Sequence, residues 1–180
     1  MEKSSSTAQE KHIVLLGGEG IGIEVVAAAS KVISILVPNV ELLRPDHGEL
    51  ALQRTGEAIP EATKEICRSA DAVLFGATWK NCGPVLQFLR WGLETYANYR
   101  PAKSRSGIAS HFKKDAPIDV AVVRENLEGE YPSREGNLSE FESRWPSFTD
   151  ILGHHLPSEG KFAIRVVSET GTRRIAEFAS

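Results

Sequence analysis

The sequence predicts an α/β fold built on a mainly parallel sheet. Three short apolar runs, His12–Gly17, Val40–Arg44 and Asp71–Gly76, have the length and composition of buried strands. Segments with helical spacing or helix-favouring composition separate them. This alternation is typical of domains in which helices cover a parallel sheet. We therefore expect the first half of the chain to form such a sheet with flanking helices.

The intervening segments carry helix signals. Behind a glycine-rich turn, apolar residues recur at helical spacing and predict a helix packed on the sheet; they are Val25, Ala29, Val32 and Leu36, with Val26 and Ile33 alongside. Pro60 stands where a second helix could start, over residues 61–70. From Val85 to Tyr96 the pattern is helical again, with one face formed by Leu86, Leu89 and Leu93.

The order of elements changes near Arg100, which divides the predicted domains. Residues 1–11 are expected to be a disordered tail, and residues 12–99 the first half of a large α/β domain, with its sheet incomplete. Residues 100–180 are expected to form a smaller α/β domain, with strands at Ile118–Arg124 and Lys161–Ser168. Thr170 could cap a last helix that ends at Ala179. The long polar stretch over residues 125–160 is predicted to form a protruding arm.

Composition excludes several classes of partner. The formal net charge is −3, so no basic field attracts nucleic acid or an anionic membrane. No apolar run approaches the length of a membrane span, and the first eleven residues lack the apolar core of a secretory signal. Cys67 and Cys82 have neither CxxC spacing nor the number expected of a disulfide framework. We therefore predict a cytoplasmic protein without nucleic-acid or membrane partners.

The glycines at 17, 18, 20 and 22 join the first strand to the first helix, where a phosphate-binding turn would lie. Their spacing matches GxGxxG poorly, and Glu19 would repel a pyrophosphate. The pattern favours a tight turn, in which glycine supplies positive φ, over direct phosphate binding.

Six segments resemble, in order, the conserved blocks of one enzyme family. Gly18–Val25 (GEGIGIEV) is similar to GDGIGPEV, Thr55–Pro60 (TGEAIP) to TGEPLP, Asp71–Ala77 (DAVLFGA) to DAVLLGA, Leu89-Arg90 with Tyr96–Lys103 (YANYRPAK) to LR…YANLRPAK, Val123–Tyr131 (VRENLEGEY) to VRENTEGLY, and Gly171–Ala179 (GTRRIAEFA) to GSERIARFA. On these blocks the chain is identified as a member of the β-decarboxylating dehydrogenases, the isopropylmalate, isocitrate and tartrate dehydrogenases. The resemblance implies an isopropylmalate dehydrogenase-like fold and covers the chain from about residue 12 onward.

The resemblance implies a carboxylate-binding pocket. In the family, the arginines at the positions of Arg90, Arg100 and Arg124 converge on the carboxylates of a malate-like substrate. Guanidinium is planar, permanently charged and bidentate, so it suits this task. The alternative for each arginine is exposure to solvent or pairing with a nearby acid such as Glu94 or Glu125.

Tyr131 stands at the position of the family's general acid, which protonates the enol carbon after decarboxylation. A neighbouring cation eases the loss of a phenol's proton. The alternative is a tyrosine half-buried in the arm. Leu127 replaces the family's threonine and alters the wall beside Tyr131.

Other family features are missing from these 180 residues. Family members are about twice as long, a length expected of two-domain chains. Their second half carries a catalytic lysine, metal-binding aspartates and a loop around the adenine of NAD or NADP, and none of these motifs occurs here. We therefore expect the chain to need no cofactor of its own, whereas the family uses NAD or NADP with Mg²⁺ or Mn²⁺.

Three functional interpretations stay open. The chain is either a truncated dehydrogenase that binds a di- or tricarboxylate but cannot transfer hydride alone, a cofactor-free isomerase, decarboxylase or cyclase acting on a carboxylated metabolite, or a non-catalytic subunit of a full-length homologue. An incomplete sheet leaves an open edge, so a homodimer or a complex with a full-length homologue is expected.

Overall fold

The computed structural model describes residues 10–105 and 117–180. The chain divides into two compact units, with the boundary between Leu93 and Glu94. The first contains β1 (Lys11–Gly18), α1 (Ile21–Leu36), β2 (Val40–Leu43), α2 (Gly48–Thr55), α3 (Glu61–Ser69), β3 (Ala72–Ala77) and α4 (Gly83–Gln87) followed by a π-helical turn (Phe88–Gly92). The second contains β4 (Ala97–Lys103), β5 (Asp119–Glu125), β6 (Glu135–Asn137), α5 (Leu138–Arg144), β7 (Lys161–Ala163) and α6 (Glu169–Ala179).

The first unit is built on a parallel sheet of order β2-β1-β3, as the sequence predicts. Its central strand β1 is apolar from Ile13 to Leu16, and Val14, Leu15 and Leu16 are almost completely buried. A strand flanked by parallel neighbours and covered by helices is expected to be buried in this way. Side chains from α3, α4 and the π-helical turn complete the core around Val14 and Leu16.

Helix α1 packs on the sheet through a face that includes the predicted Val26 but not the main predicted stripe. Its buried residues are Gly22, Val26 and Ser30. The predicted stripe is largely exposed, with Leu36 at 71% and Val32 at 54%. Apolar side chains occur on every side of this helix, so periodicity alone cannot select the buried face. The face that contains Gly22 and Ser30 is buried because these small residues allow close approach to the strands.

Two helices lie between β2 and β3. The one after Pro60 was predicted, and Pro60 is its N-cap residue. Helix α2 was not predicted, although Gly56 follows it in the left-handed conformation typical of a helix end. The predicted helix over Val85–Tyr96 begins earlier, at Gly83, and the chain leaves it after the π-helical turn.

The second unit contains two antiparallel strand pairs, β4 with β5 and β6 with β7. The predicted strand over Lys161–Ser168 is shorter, ending at Ala163. Ser168 rather than Thr170 caps α6, since its Oγ accepts the amide of Gly171. In the arm segment, the ring of Phe141 in α5 contacts the rings of Trp145 and Phe148, and also that of Phe162 in β7.

Three other predictions concern the N-terminal tail, the two cysteines and membrane-spanning helices. The expected tail lies outside the described residues up to residue 9, and Lys11 already belongs to β1. Cys67 and Cys82 are free and buried, and burial with the nearby Glu19 carboxylate raises the pKa of Cys82 to about 11. Over residues 10–105 and 117–180, no helix is both long and apolar enough to cross a bilayer.

Candidate functional site

The glycine turn after β1 is held by close backbone contact. Gly18 and Gly20 have positive φ, at +74° and +59°. A Cβ atom on Gly18 would lie 2.0 Å from the carbonyl oxygen of Ala77, and one on Gly22 would lie 2.2 Å from that of Gly17. The close approach of the turn to β3 therefore explains Gly18 and Gly22, the positive φ explains Gly20, and the predicted tight turn is confirmed.

Arg90 lies in the π-helical turn that follows α4 and is partly exposed. A π-helical turn inserts an extra residue into a helical repeat, and such turns are frequent at functional sites. The core residue Phe88 anchors the beginning of this turn. Arg90 belongs to the first unit, whereas the other three predicted site residues belong to the second.

Arg100 and Arg124 lie on one face of the β4–β5 ribbon. Arg124 pairs with Asn98 and Arg100 pairs with Val122. Directly opposed residues share a face, and so do residues two apart on one strand, so both arginines are on the Asn98 face as diagonal neighbours. Arg100 Nε donates to Asn98 Oδ1 at 3.1 Å. The pairing therefore brings together two of the predicted arginines.

Tyr131 lies against one of these arginines. The guanidinium carbon of Arg124 is 4.0 Å from the centroid of the Tyr131 ring, within the range of a cation–π contact. Tyr131 is 60% exposed, so it is not the half-buried arm residue of the alternative interpretation. Within the described residues, neither Arg100 nor Arg124 forms an ion pair with a carboxylate.

Glu125, which the sequence offers as an alternative partner for the predicted arginines, instead pairs with Arg174. Its carboxylate accepts two hydrogen bonds from Arg174 of α6, both at 2.9 Å, and one from the amide of Leu127 at 2.7 Å. This bidentate bond holds α6 against the end of β5 and raises the pKa of Arg174. Arg174 also lies over the ring of Tyr96.

Two further residues of the Val123–Tyr131 segment fix its path. The amide of Asn126, a residue only 5% exposed, donates to the carbonyl of Tyr96 at 2.8 Å. Glu128 accepts the hydroxyl and the amide of Ser168, at the start of α6, and these hydrogen bonds hold the pKa of its carboxyl below the usual range. Glu128 thus ties the segment to the residue that caps the helix.

These positioning roles were not predicted from the sequence. Glu125 and Arg174 lie far apart in the chain, as do Glu128 and Ser168, so no local spacing reveals the pairs. The one local indication in the sequence is the cluster of acidic residues, Glu125 and Glu128, close to Arg124 in the Val123–Tyr131 segment. Among residues 10–105 and 117–180, no group of three or more His, Cys, Asp or Glu side chains is arranged to hold a metal ion.

Comparison with known proteins identifies the family and the fold of this chain. A family model described as isocitrate/isopropylmalate dehydrogenase matches residues 12–180. The solved isocitrate dehydrogenase of Methylococcus capsulatus superposes with a TM-score of 0.72 at 28% identity, covering 93% of this chain and 46% of that one. The fold is therefore the α/β fold of these dehydrogenases.

Curated relatives found by sequence similarity support the same family. The 3-isopropylmalate dehydrogenase of Archaeoglobus fulgidus is 37% identical over 94% of the chain, and the 3-isopropylmalate/3-methylmalate dehydrogenase of Methanocaldococcus jannaschii is 36% identical over 93%. The chain belongs to the isocitrate/isopropylmalate dehydrogenase family. It spans 45% and 44% of the length of these two relatives.

Proposed function

We propose that this chain binds the carboxylates of a malate-like di- or tricarboxylate through Arg100 and Arg124, with Tyr131 as proton donor. The observation that carries the proposal is the shared face of the two arginines, whose guanidinium groups meet no carboxylate among the described residues. A substrate carboxylate would supply the missing countercharge, with a planar fork matched to each guanidinium.

Two further arguments support the proposal. The named substrates of the relatives, 3-isopropylmalate, 3-methylmalate and isocitrate, all carry carboxylates on a malate skeleton. Arg90 is proposed as the third carboxylate ligand only because it stands at the corresponding position of the family pattern. Its assignment rests on resemblance, whereas that of Arg100 and Arg124 rests also on the strand register.

Tyr131 is proposed as proton donor because it stands at the position of the family's general acid and lies against Arg124. The guanidinium lies over the phenol ring, so the cation–π contact holds the ring beside the proposed carboxylate ligand. Since Tyr131 is exposed, a bound substrate can reach its hydroxyl. We propose no hydride transfer by these 180 residues alone, because they contain none of the family's lysine, aspartate or adenine-loop motifs.

Calorimetric titration with 3-isopropylmalate, malate, isocitrate and tartrate tests the proposal. At least one acid should bind without Mg²⁺ or NAD. Arg100→Gln and Arg124→Gln should each weaken it by about 10-fold or more, since hydrogen bonds to charged groups contribute about 1.5–3 kcal/mol. Tyr131→Phe removes only a hydroxyl and should change the affinity by less than about threefold.

Arg165→Gln is the matched control for this experiment, because Arg165 is an exposed arginine of the same unit. Its affinity should equal that of the wild type. Unchanged affinity in both Arg100→Gln and Arg124→Gln would contradict the pocket. Formation of NADH by the pure chain, with Mg²⁺ and NAD supplied, would contradict the expected loss of hydride transfer.

A second candidate function, as a subunit that binds another polypeptide, is favoured by one surface of the first unit. Helix α1 exposes a continuous set of large apolar side chains, including Ile21, Val32, Ile35 and Leu36. Apolar patches of this kind usually mark an interface. We propose a homodimer first and a complex with a full-length homologue second, either formed with this α1 surface covered.

Light scattering coupled to size-exclusion chromatography checks this assignment at micromolar concentration. The wild type should have the mass of a dimer, and Ile35→Asp/Leu36→Asp should shift it to a monomer, because a buried carboxylate without a partner is costly. Lys31→Asp/Ser34→Asp changes exposed polar positions of the same helix and is the control. A wild-type monomer that stays soluble would contradict the homodimer.

A further inference from the structure

The face of the β4–β5 ribbon that carries Arg100 and Arg124 has two more positions beside them. Asn98 is directly opposite Arg124, and Val122 is directly opposite Arg100. Directly opposed residues have Cβ atoms about 4.5–5.5 Å apart, and residues two apart on one strand are the next neighbours on the same face. Asn98 and Val122 therefore each border both arginines, one with an amide and the other with an aliphatic side chain.

The orientation of the Asn98 amide is fixed by Arg100. Arg100 Nε donates to Asn98 Oδ1 at 3.1 Å. A guanidinium group has donors and no acceptor, so the amide must present its oxygen to Arg100. The amide nitrogen, Nδ2, is therefore on the side of the amide that does not meet Arg100.

The two N–H donors of Asn98 Nδ2 are available to a ligand. Among the described residues, the Asn98 side chain has one hydrogen bond, and its oxygen makes that bond. The side chain is half-buried on the ribbon. Because Arg100 already orders the amide, a ligand that accepts from Nδ2 immobilises little additional side-chain freedom.

A neutral donor at this position suits a substituent between the two carboxylates of a diacid. When each arginine holds one carboxylate, the carbons that join the carboxylates pass between Arg100 and Arg124. A hydroxyl on one of these carbons can accept a hydrogen bond from an amide. Asn98 offers that donor on one side of the path, whereas Val122 on the other side has no polar group in its side chain.

We propose that Asn98 determines the specificity of the carboxylate site by donating from Nδ2 to the hydroxyl of a 2-hydroxy diacid. This inference rests on the proposed function, because it requires Arg100 and Arg124 to hold the carboxylates. It goes further by assigning the recognition of the hydroxyl, the group that distinguishes malate from succinate, to one residue of β4.

Malate and succinate are the probes, since they share a four-carbon diacid skeleton and differ by one hydroxyl. Calorimetric titration of the full chain should show malate binding about 2- to 10-fold more tightly, as expected for one neutral hydrogen bond. In Asn98→Ala this ratio should fall to about one. Loss of the bond to Arg100 weakens both acids equally in this variant, so the ratio isolates the contact with the hydroxyl.

Two further measurements accompany the titrations. In the wild type, malate should shift the NMR signals of the Asn98 side-chain amide more than succinate does at saturation. Val122→Ala is the matched control at the opposite position of the same face, and it should keep the wild-type ratio. Asn98→Leu, which preserves the branched shape of the side chain, serves as the second variant and should also bring the ratio to about one.

Failure of this inference can be distinguished from failure of the proposed function. If both acids bind to the wild type with equal affinity, or if both Asn98 variants keep the wild-type ratio, the assignment of Asn98 is overturned while the carboxylate site stands. If neither acid shows saturable binding at millimolar concentrations, the carboxylate site itself is contradicted, and the role of Asn98 with it.

Discussion

The two units of this chain are stabilised in different ways. In the first, most of the described buried apolar side chains form one core around Val14 and Leu16 of β1, and the glycine turn packs backbone against backbone. In the second unit, Leu138, which is 8% exposed, is the one large apolar side chain among the described residues that is buried. Its segments are joined by Glu125 with Arg174 and by Glu128 with Ser168.

This difference bears on the candidate carboxylate site. Arg124 and Tyr131 belong to the segment that these polar bonds hold, so the position of the site depends on hydrogen bonds and much less on core packing. Polar networks fix geometry when every member has a partner, and they fail when one member is removed. Changes in the first unit should therefore affect folding, and changes in the second should affect the site.

The largest expected effect is that of Gly22→Ala in the first unit. The new Cβ would lie 2.2 Å from the Gly17 oxygen and 2.4 Å from the Ala77 nitrogen, both backbone atoms that cannot rotate away. We expect a loss of at least about 3 kcal/mol in the free energy of unfolding, measured by urea denaturation. Gly83→Ala is the control, since nothing lies near its Cβ position. Equal denaturation midpoints for the two variants would show that the close backbone packing at Gly22 does not stabilise the first unit.

An intermediate effect is expected from Arg174→Ala in the second unit. It removes both hydrogen bonds to the half-buried Glu125 and should destabilise α6 by about 1–2 kcal/mol. The adjacent Arg173 pairs with the exposed Glu169, so Arg173→Ala should cost about 0.5 kcal/mol or less. Hydrogen exchange of the α6 amides measures both, and similar exchange in the two variants would show that the bidentate bond does not hold the helix.

The smallest expected effect is a pH dependence of the second unit through Glu128. Its pKa is lower in the folded protein because Ser168 donates to the carboxylate. The stabilisation is therefore present above the unfolded pKa and is lost as the pH falls through the folded pKa. Carbon-detected NMR titration should place the Glu128 pKa below its ordinary value, and Ser168→Ala should raise it. Asp150, held by its own loop, should titrate alike in both proteins.

Much of the first unit could be predicted, because its strands are continuous apolar runs bounded by turn residues. The buried face of α1 could not, since apolar residues surround that helix and the choice falls to Gly22 and Ser30. Strand β4 was missed because Pro101 within it lowers strand propensity, and the structure accommodates this proline in a two-stranded ribbon.

The candidate site was predictable only in part. The resemblance selects Arg100, Arg124 and Tyr131 as residue types at family positions, but it does not give the β4–β5 register that places the arginines on one face. The supporting bond between Glu125 and Arg174 joins residues that are distant in sequence. Such pairs depend on the folded topology, which local patterns do not encode.

The parallel order of the first sheet has a consequence for biosynthesis. Strand β1 pairs with β2 through Lys11 and Val40, but its pairing with β3 joins Leu15 to the much later Leu74. Pairing of strands that are distant in sequence is slow, because a long loop must close first. While the ribosome is still adding the residues up to Ala77, the buried central strand has one neighbour at most, and α1, α2 and α3 are the helices available to shield it from chaperones and other nascent chains.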